Sequence, residues 1–356
     1  MAPLPSYFNK FLTKITLTSN QVQNLSNGHL TLRDRLENDE KLSKIISRNF
    51  LQGSYIRFTA IRPISGKRSD VDVIVVTTLD KDNCLPREAH DLFIPFLEKH
   101  YKDKYEIQGR SIGISLTNVD LDIVVTAAPS NSEEDILKKM ESISGLSPLY
   151  LTRELESPIV KVNYQEIALK DDSEKKETPL YIPDREANVW EETNPLEQIK
   201  WTNEKNIAAN GYYRKVVKAL KWWRNLKYPG ENPKSYPLEH FIGDCCPDNI
   251  NSVAEGVTLT LENMANIENK PFLKDRGVPE HDVFGRLTEE EYKEFHSQVV
   301  DEAVIARAAL DSTDNEESIE KWRELFGNRF PESLQESGSG SYKSTGKQED
   351  PGGRFA

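Results

Sequence analysis

Short β-branched runs alternate with longer stretches of helical period through the first half of the chain. Residues 71–76 (VDVIVV) and 121–125 (LDIVV) are compact and β-branched, the pattern of buried strands. Between them, PREAHDLFIPFLEKHY reads as a helix and YEIQGRSIGISLTN as a hairpin. Upstream, residues 20–50 are polar, with Leu25, Leu30, Leu32, Leu36, Leu42, Ile45 and Ile46 spaced to share one broad helical face. That spacing predicts one long helix, or two with a break near Asn27-Gly28. SPIVKVNYQ predicts a further strand. The order helix, strand, helix, hairpin, strand predicts an α/β lobe built on a mixed sheet.

After a charged loop at residues 170–179 (KDDSEKKETP) the character changes. NEKNIAANGYYRKVVKALKWWRNLK predicts one long amphipathic helix. PLEHFIGDCC, VAEGVTLTLENMAN and LTEEEYKEFHSQVVDEAVIARAALD predict further helices. The organisation expected is therefore a sheet lobe over residues 1–184, a helical lobe over 185–331 and a tail over 332–356. The tail holds five Gly and five Ser with almost no apolar content, which predicts flexibility. Trp222 and Trp223 are adjacent and cannot share one helix face, so at least one is expected in the core.

Composition narrows the function. The chain has 356 residues, 37% of them hydrophobic and 29% charged, a globular balance with room for two lobes. With 46 basic and 58 acidic residues the net charge is −12, unfavourable for general binding of duplex nucleic acid, where phosphate contacts dominate affinity. A local basic cleft for a small polyphosphate remains compatible with it. Three cysteines, Cys84, Cys245 and Cys246, form neither a disulfide framework nor a zinc ribbon. No run of about 18 apolar residues predicts a membrane span, and MAPLPSYFNKFLTK lacks a signal-peptide core. A cytoplasmic location is expected.

The chemistry gathers in residues 51–76 and 120–125. Strand side chains alternate, so Asp70 and Asp72 project together while Val71, Val73 and Val75 face the opposite layer. Two such carboxylates are costly if buried and unpaired, but divalent cations at a cleft edge make them tolerable. Asp122 sits in the second apolar strand, and a neighbouring pair of strands would bring all three carboxylates together. Hard oxygen donors of this kind suit Mg²⁺ shared with substrate phosphates. Asp120 shares a face with Asp122; Asp122 is preferred because, like Asp72, it leads straight into an apolar run. Gly53 and Ser54 follow an apparently helical LSKIISRNF and precede the D-x-D strand. Glycine permits close backbone approach, and a turn of exposed N–H groups with a hydroxyl can cradle phosphate.

The series GSYIRFTAIRP, SDVDVIVV and LDIVV, with Thr59 and Arg62-Pro63, resembles the DNA polymerase β-like nucleotidyltransferases. It resembles more closely the bacterial cGAS/DncV-like nucleotidyltransferases (CD-NTases) of CBASS anti-phage systems. VVKALKWWRN, SYPLEHFI and WRELFGNRFP continue the likeness into the second half, over roughly residues 10–331. The resemblance implies a bilobal polymerase β-like fold, a mixed-sheet catalytic lobe with a helical second lobe. It implies Asp70, Asp72 and Asp122 as ligands of two Mg²⁺ ions, with Mn²⁺ able to substitute. It implies Gly53 and Ser54, with Gln52 beside them, as the holders of the donor triphosphate. Lys221 and Ser235 would contact phosphates from the opposite wall, and Tyr236 is a candidate for base stacking.

The activity so implied is the joining of ATP/GTP-type nucleoside triphosphates into a cyclic di- or trinucleotide second messenger, with pyrophosphate release. A downstream cyclic-nucleotide effector would read the product in antiviral defence. The alternative is a nucleotidyltransferase acting on an RNA or protein acceptor; the lack of a basic stretch counts against the RNA-polymerising role. No Cys/His cluster matches the zinc insertion of the animal DNA sensor, so duplex DNA is not expected as an activator. The tail ending PGGRFA is a candidate attachment point for an E1/E2-like conjugating partner.

Overall fold

The computed structural model describes residues 4–64, 66–127, 180–228 and 232–333. SPIVKVNYQ, the charged loop at 170–179 and the tail from 334 onward lie outside them. Among the described residues seven strands form one mixed sheet: β1 (Ile46–Gln52), β2 (Ser69–Thr77), β3 (Tyr105–Ile107), β4 (Ile112–Ser115), β5 (Val119–Ala127), β6 (Leu180–Asp184) and β7 (Val189–Thr193). Their order is β1-β2-β5-β4-β3, with β6 joined to β5 and β7 to β6. The pair β2 and β5, predicted as buried strands, lies at the centre and runs parallel.

The helices of the first half are α1 (Pro5–Ile15), α2 (Ser19–Glu37), the one-turn α3 (Gly53–Ile56), α4 (Pro86–Asp91) and α5 (Ile94–Tyr101). The second half supplies α6 (Pro195–Ala208), α7 (Tyr213–Lys227), α8 (Ser235–Cys245), α9 (Val253–Ala265), α10 (Glu289–Asp311) and α11 (Asn315–Phe326). The α/β lobe and helical lobe follow the expected fold class. The expected boundary at 184 falls in the β6–β7 hairpin, whose second strand ends at Thr193.

Four local expectations change. Helix α2 begins with a reciprocal Thr18–Gln21 capping box and runs unbroken through Gly28. A Cβ at Gly28 would sit 3.1 Å from Val119 and 3.2 Å from Leu121, so the glycine lets the helix lie close on β5. The helix stops at Glu37, and Leu30, expected on its apolar face, is 53% exposed. LSKIISRNF is therefore mostly strand β1, because Phe50 and Leu51 pair with Ile74 and Val73 across the ladder. PREAHDLFIPFLEKHY divides into α4 and α5, the second opening with Pro95 in its first turn, where a missing N–H costs nothing. The long helix predicted over residues 203–227 is two, α6 and α7. Asn210 and Gly211 separate them at φ values of 53° and 79°, a left-handed pair that ends a helix.

The sheet buries both faces. Val71, Val73, Val75, Leu121 and Ile123 pack against Leu25 and Leu32 of α2 and Phe96 of α5. On the other face, Phe50, Ile74 and Val76 meet Leu196 and Ile199 of α6. The helical lobe has its own core, and α1 joins it: Phe8, Phe11 and Leu12 lie with Trp322, Phe326 and Phe330. Trp222 and Trp223 are both buried, and the Trp222 Nε1 donates to the Phe326 carbonyl at 3.1 Å. Among the described residues no helix is long and apolar enough to cross a membrane.

Phe11 is fully buried and stacks on Phe326 at 4.5 Å between ring centroids. Phe11→Ala is expected to lower the unfolding free energy in urea by roughly 3–5 kcal/mol. A loss no larger than that of a surface substitution, about 0.5 kcal/mol, would show that α1 is not part of this core.

Candidate active site

Strand β1 ends at Gln52, which faces Asp72 across the ladder. The chain then turns at Gly53, with φ of 84°. Two constraints demand glycine there. The conformation is left-handed, and a Cβ would lie 1.7 Å from an Asp72 carboxylate oxygen. The Gly53-Ser54 turn is thus pressed against the aspartate wall.

That wall is built by register. Parallel pairing of β2 and β5 sets Asp70 opposite Asp120 and Asp72 opposite Asp122. Burial, then repulsion from Asp70 and Asp122, pushes the Asp72 carboxyl up to about 8. Burial and Asp70 push Asp122 up to about 6, against a hydrogen bond from the Ser111 hydroxyl at 3.4 Å. Asp120 has a different fate, since the Arg68 Nε donates to it at 2.8 Å. This pairing separates Asp120 from Asp122, which sequence period alone could not do.

A cavity of about 1080 Å³ opens between the lobes. Gln52, Gly53, Ser54, Asp70, Asp72 and Asp122 line one side of it, and Ser235 and Tyr236 of α8 line the other. Tyr236 is held in place. Its hydroxyl donates to Asp275, the Arg57 guanidinium lies 5.6 Å from its ring centroid, and His240 packs edge-to-face against it at 4.5 Å. Asp275 is itself fixed by the Gly277 and Val278 amides at 2.6 and 3.1 Å.

Lys221 is the one predicted site residue that the structure places off the lining. It is 4% exposed, and its ammonium donates to Glu239 at 2.7 Å and to the Thr59 carbonyl at 3.2 Å. The cations that do face the cavity include Arg57, Arg110 and Arg286, none of which the sequence reading singled out. Arg57 had a local signal, three residues after Ser54 on the same turn. Arg110 and Arg286 had none. They converge on the fully buried Asp184, at 2.8 and 2.9 Å, from segments far apart in the chain.

Among the described residues no three His, Cys, Asp or Glu side chains are drawn to the spacing of ligands on one ion. The chemistry of the donor set nevertheless fits a hard divalent cation. It is all carboxylate, lies on one wall, and is destabilised by its own repulsion, which a cation relieves.

Residues 2–139 match the family model of the Second Messenger Oligonucleotide or Dinucleotide Synthetase domain. Aligned over 99% of this chain and all of each relative, the sequence is 43% identical to a probable cyclic AMP-AMP-GMP nucleotide synthase of Salmonella paratyphi B. It is 42% identical to the cyclic AMP-AMP-GMP synthase of Enterobacter hormaechei subsp. hoffmannii. The chain belongs to the cGAS/DncV-like nucleotidyltransferases. It is an enzyme of the group that builds cyclic oligonucleotides from nucleoside triphosphates. The fold of this nucleotidyltransferase is similar to that of Vibrio cholerae DncV, solved with the linear intermediate pppA(3′,5′)pG. The TM-score is 0.62 at 16% identity, over 91% of this chain and 96% of that one.

The carboxylate wall makes a pH-dependent prediction for the nucleotidyltransferase. Asp72 titrates from 3.8 in the unfolded chain to about 8 when folded. The folded state therefore holds that proton more tightly, and this contribution is full below pH 3.8 and lost as pH rises through about 8. Asp72→Asn cannot ionise and escapes the loss. In EDTA, its melting temperature should exceed that of the parent by a margin that widens over this interval. Parallel curves would refute the assignment.

Proposed function

We propose that this nucleotidyltransferase joins two adenylates and one guanylate into a cyclic trinucleotide, releasing pyrophosphate as each bond closes. The observation that carries this reading is the in-register placement of Asp72 beside Asp122, with Asp70, on the wall that bears the Gly53-Ser54 turn. The choice of bases rests on the two relatives that share 42–43% identity over the full chain.

The residues divide the work. Gly53 and Ser54 hold the donor triphosphate, and Ser235 meets its phosphates from the opposite wall. Gln52 has a buried side-chain oxygen with no partner among the described residues, ready to accept from a substrate N–H or O–H. Tyr236 offers its fixed ring to a base. Asp122, whose register places it beside Asp72 on this wall, is the carboxylate assigned to take the proton of the acceptor ribose hydroxyl. As that oxygen bonds to the α-phosphorus, the bond to the bridging oxygen breaks and its electron pair leaves with pyrophosphate. Asp70, Asp72 and Asp122 would hold two Mg²⁺ or Mn²⁺ ions, which when bound lower the pKa of the attacking hydroxyl and neutralise the leaving group. Positioning and charge compensation supply the rest of the acceleration.

The product then acts as a second messenger for a cyclic-nucleotide effector in bacterial anti-phage defence, in the cytoplasm. The supporting observation is the family resemblance of both lobes. The E1/E2-like partner expected at the tail concerns residues outside those described.

The test is incubation of the purified protein with labelled NTPs and Mg²⁺, then phosphatase and chromatography. A phosphatase-resistant product containing A and G in a 2:1 ratio is expected, lost in EDTA and restored by Mg²⁺. The Asp70→Asn/Asp72→Asn double variant should lose at least about 100-fold in rate while remaining folded. Label appearing in RNA or on a protein would replace this reading with the alternative acceptor, and a fully active double variant would end it.

A further inference from the structure

We infer that Glu239 is a positioning residue that latches the donor-phosphate turn of the sheet lobe to the helical lobe. This latch rests on the proposed function, in that the donor triphosphate must lie on the Gly53-Ser54 turn.

Glu239 belongs to α8 and is 6% exposed. Its carboxylate accepts from both lobes. Lys221 of α7 donates at 2.7 Å from the helical side. From the sheet side, the Arg57 Nε donates at 3.2 Å and the Thr59 hydroxyl at 2.9 Å. Lys221 also donates to the Thr59 carbonyl at 3.2 Å. Burial alone would raise the Glu239 carboxyl, but Lys221 and Arg57 hold it down to about 2. A buried ion cluster is a weak source of stability compared with apolar packing. What this one specifies is geometry.

The backbone carries that geometry to the turn. The Arg57 amide donates to the Gly53 carbonyl at 3.2 Å. The Thr59 and Ala60 amides both donate to the Ser54 carbonyl, at 3.0 and 3.1 Å. Between Arg57 and Thr59, Phe58 adopts φ of 60°, a conformation uncommon for a residue with a Cβ and rarer for a bulky one. This left-handed kink separates two residues whose side chains both bond one carboxylate. Phe58 is buried, and the Arg214 guanidinium of α7 lies 5.0 Å from its ring centroid. Strained backbone of this kind persists where its surroundings over-determine it, and it gathers at ligand clamps. A movement of α8 is thereby passed through Glu239 to the two residues that cradle phosphate, and to Arg57 on the cavity lining beside Tyr236.

Thr59→Val removes the hydroxyl at nearly equal volume, and Thr59→Ser keeps it. The measurements are the Kd for a non-hydrolysable ATP analogue, and KM and kcat for cyclic product formation. Thr59→Val is expected to raise Kd and KM together, on the order of tenfold for a lost bond to a charged group. Thr59→Ser should restore the parent values, and Glu239→Gln should exceed the effect of Thr59→Val. A purely structural role would instead lower kcat with the folded fraction and leave Kd and KM unchanged. The latch is overturned if Thr59→Val and Glu239→Gln bind the analogue as the parent does, or if Thr59→Ser is as weak as Thr59→Val. In either case, a parent that binds the analogue and cyclises nucleotides leaves the proposed function standing. A parent that binds no analogue would overturn both.

Discussion

Carboxylates fixed on neighbouring strands repel each other, and a rigid backbone ladder leaves them nowhere to go. Parallel register sets Asp72 beside Asp122 at the centre of the sheet, and much of the site is a response to that placement. The Gly53 turn approaches because nothing but hydrogen occupies the space a Cβ would need. Asp120, in the same strand as Asp122, is neutralised by Arg68, while Asp72 and Asp122 face the cavity with their carboxyls raised. Unrelieved repulsion of this sort destabilises a fold. Its persistence at a cavity wall is the behaviour of groups arranged to meet a counter-charge.

Two buried carboxylates hold the lobes around that wall. Glu239 of α8 gathers Arg57 and Thr59 from the sheet lobe. Asp184 of β6 accepts from Arg110 of the sheet lobe and from Arg286 of the helical half. Each is an acidic residue surrounded by cations, and each lies beside the cavity without being one of the repelling aspartates. The apolar packing of α1 into the helical core adds a third tie, since the chain reaches the sheet only after contributing to the other lobe. A net charge of −12 is therefore no guide to the field inside the cavity. Arginines held there by buried acids are local, and short-range order decides where their charge points.

The central strands and the placement of their aspartates were legible because they depend on short-range pattern. A period of two places Asp70 and Asp72 on one face, and β-branched runs mark VDVIVV and LDIVV as strands. The Gly53-Ser54 turn and the helices of the second lobe were legible for the same reason, with the family resemblance tying them together. LSKIISRNF misled because its residues suit either state locally; the ladder with Ile74 and Val73 decided for strand. The break near Asn27-Gly28 that stood as one of two alternatives is a close helix–sheet contact, while the unexpected break lies at Asn210-Gly211.

What the sequence determined by itself is which residues carry charge, which faces repeat and where the backbone can turn. What the tertiary structure decided is which charge meets which. Lys221 stands on an amphipathic helix and the family resemblance gave it to phosphate, yet its ammonium pairs with Glu239 of the next helix and donates to the Thr59 carbonyl, 162 residues away. Asp184 and Arg286 are 102 residues apart and meet at 2.9 Å. A side chain's charge is a local property of the chain. Its counter-ion is not, because burial and pairing depend on segments that only the folded core brings together.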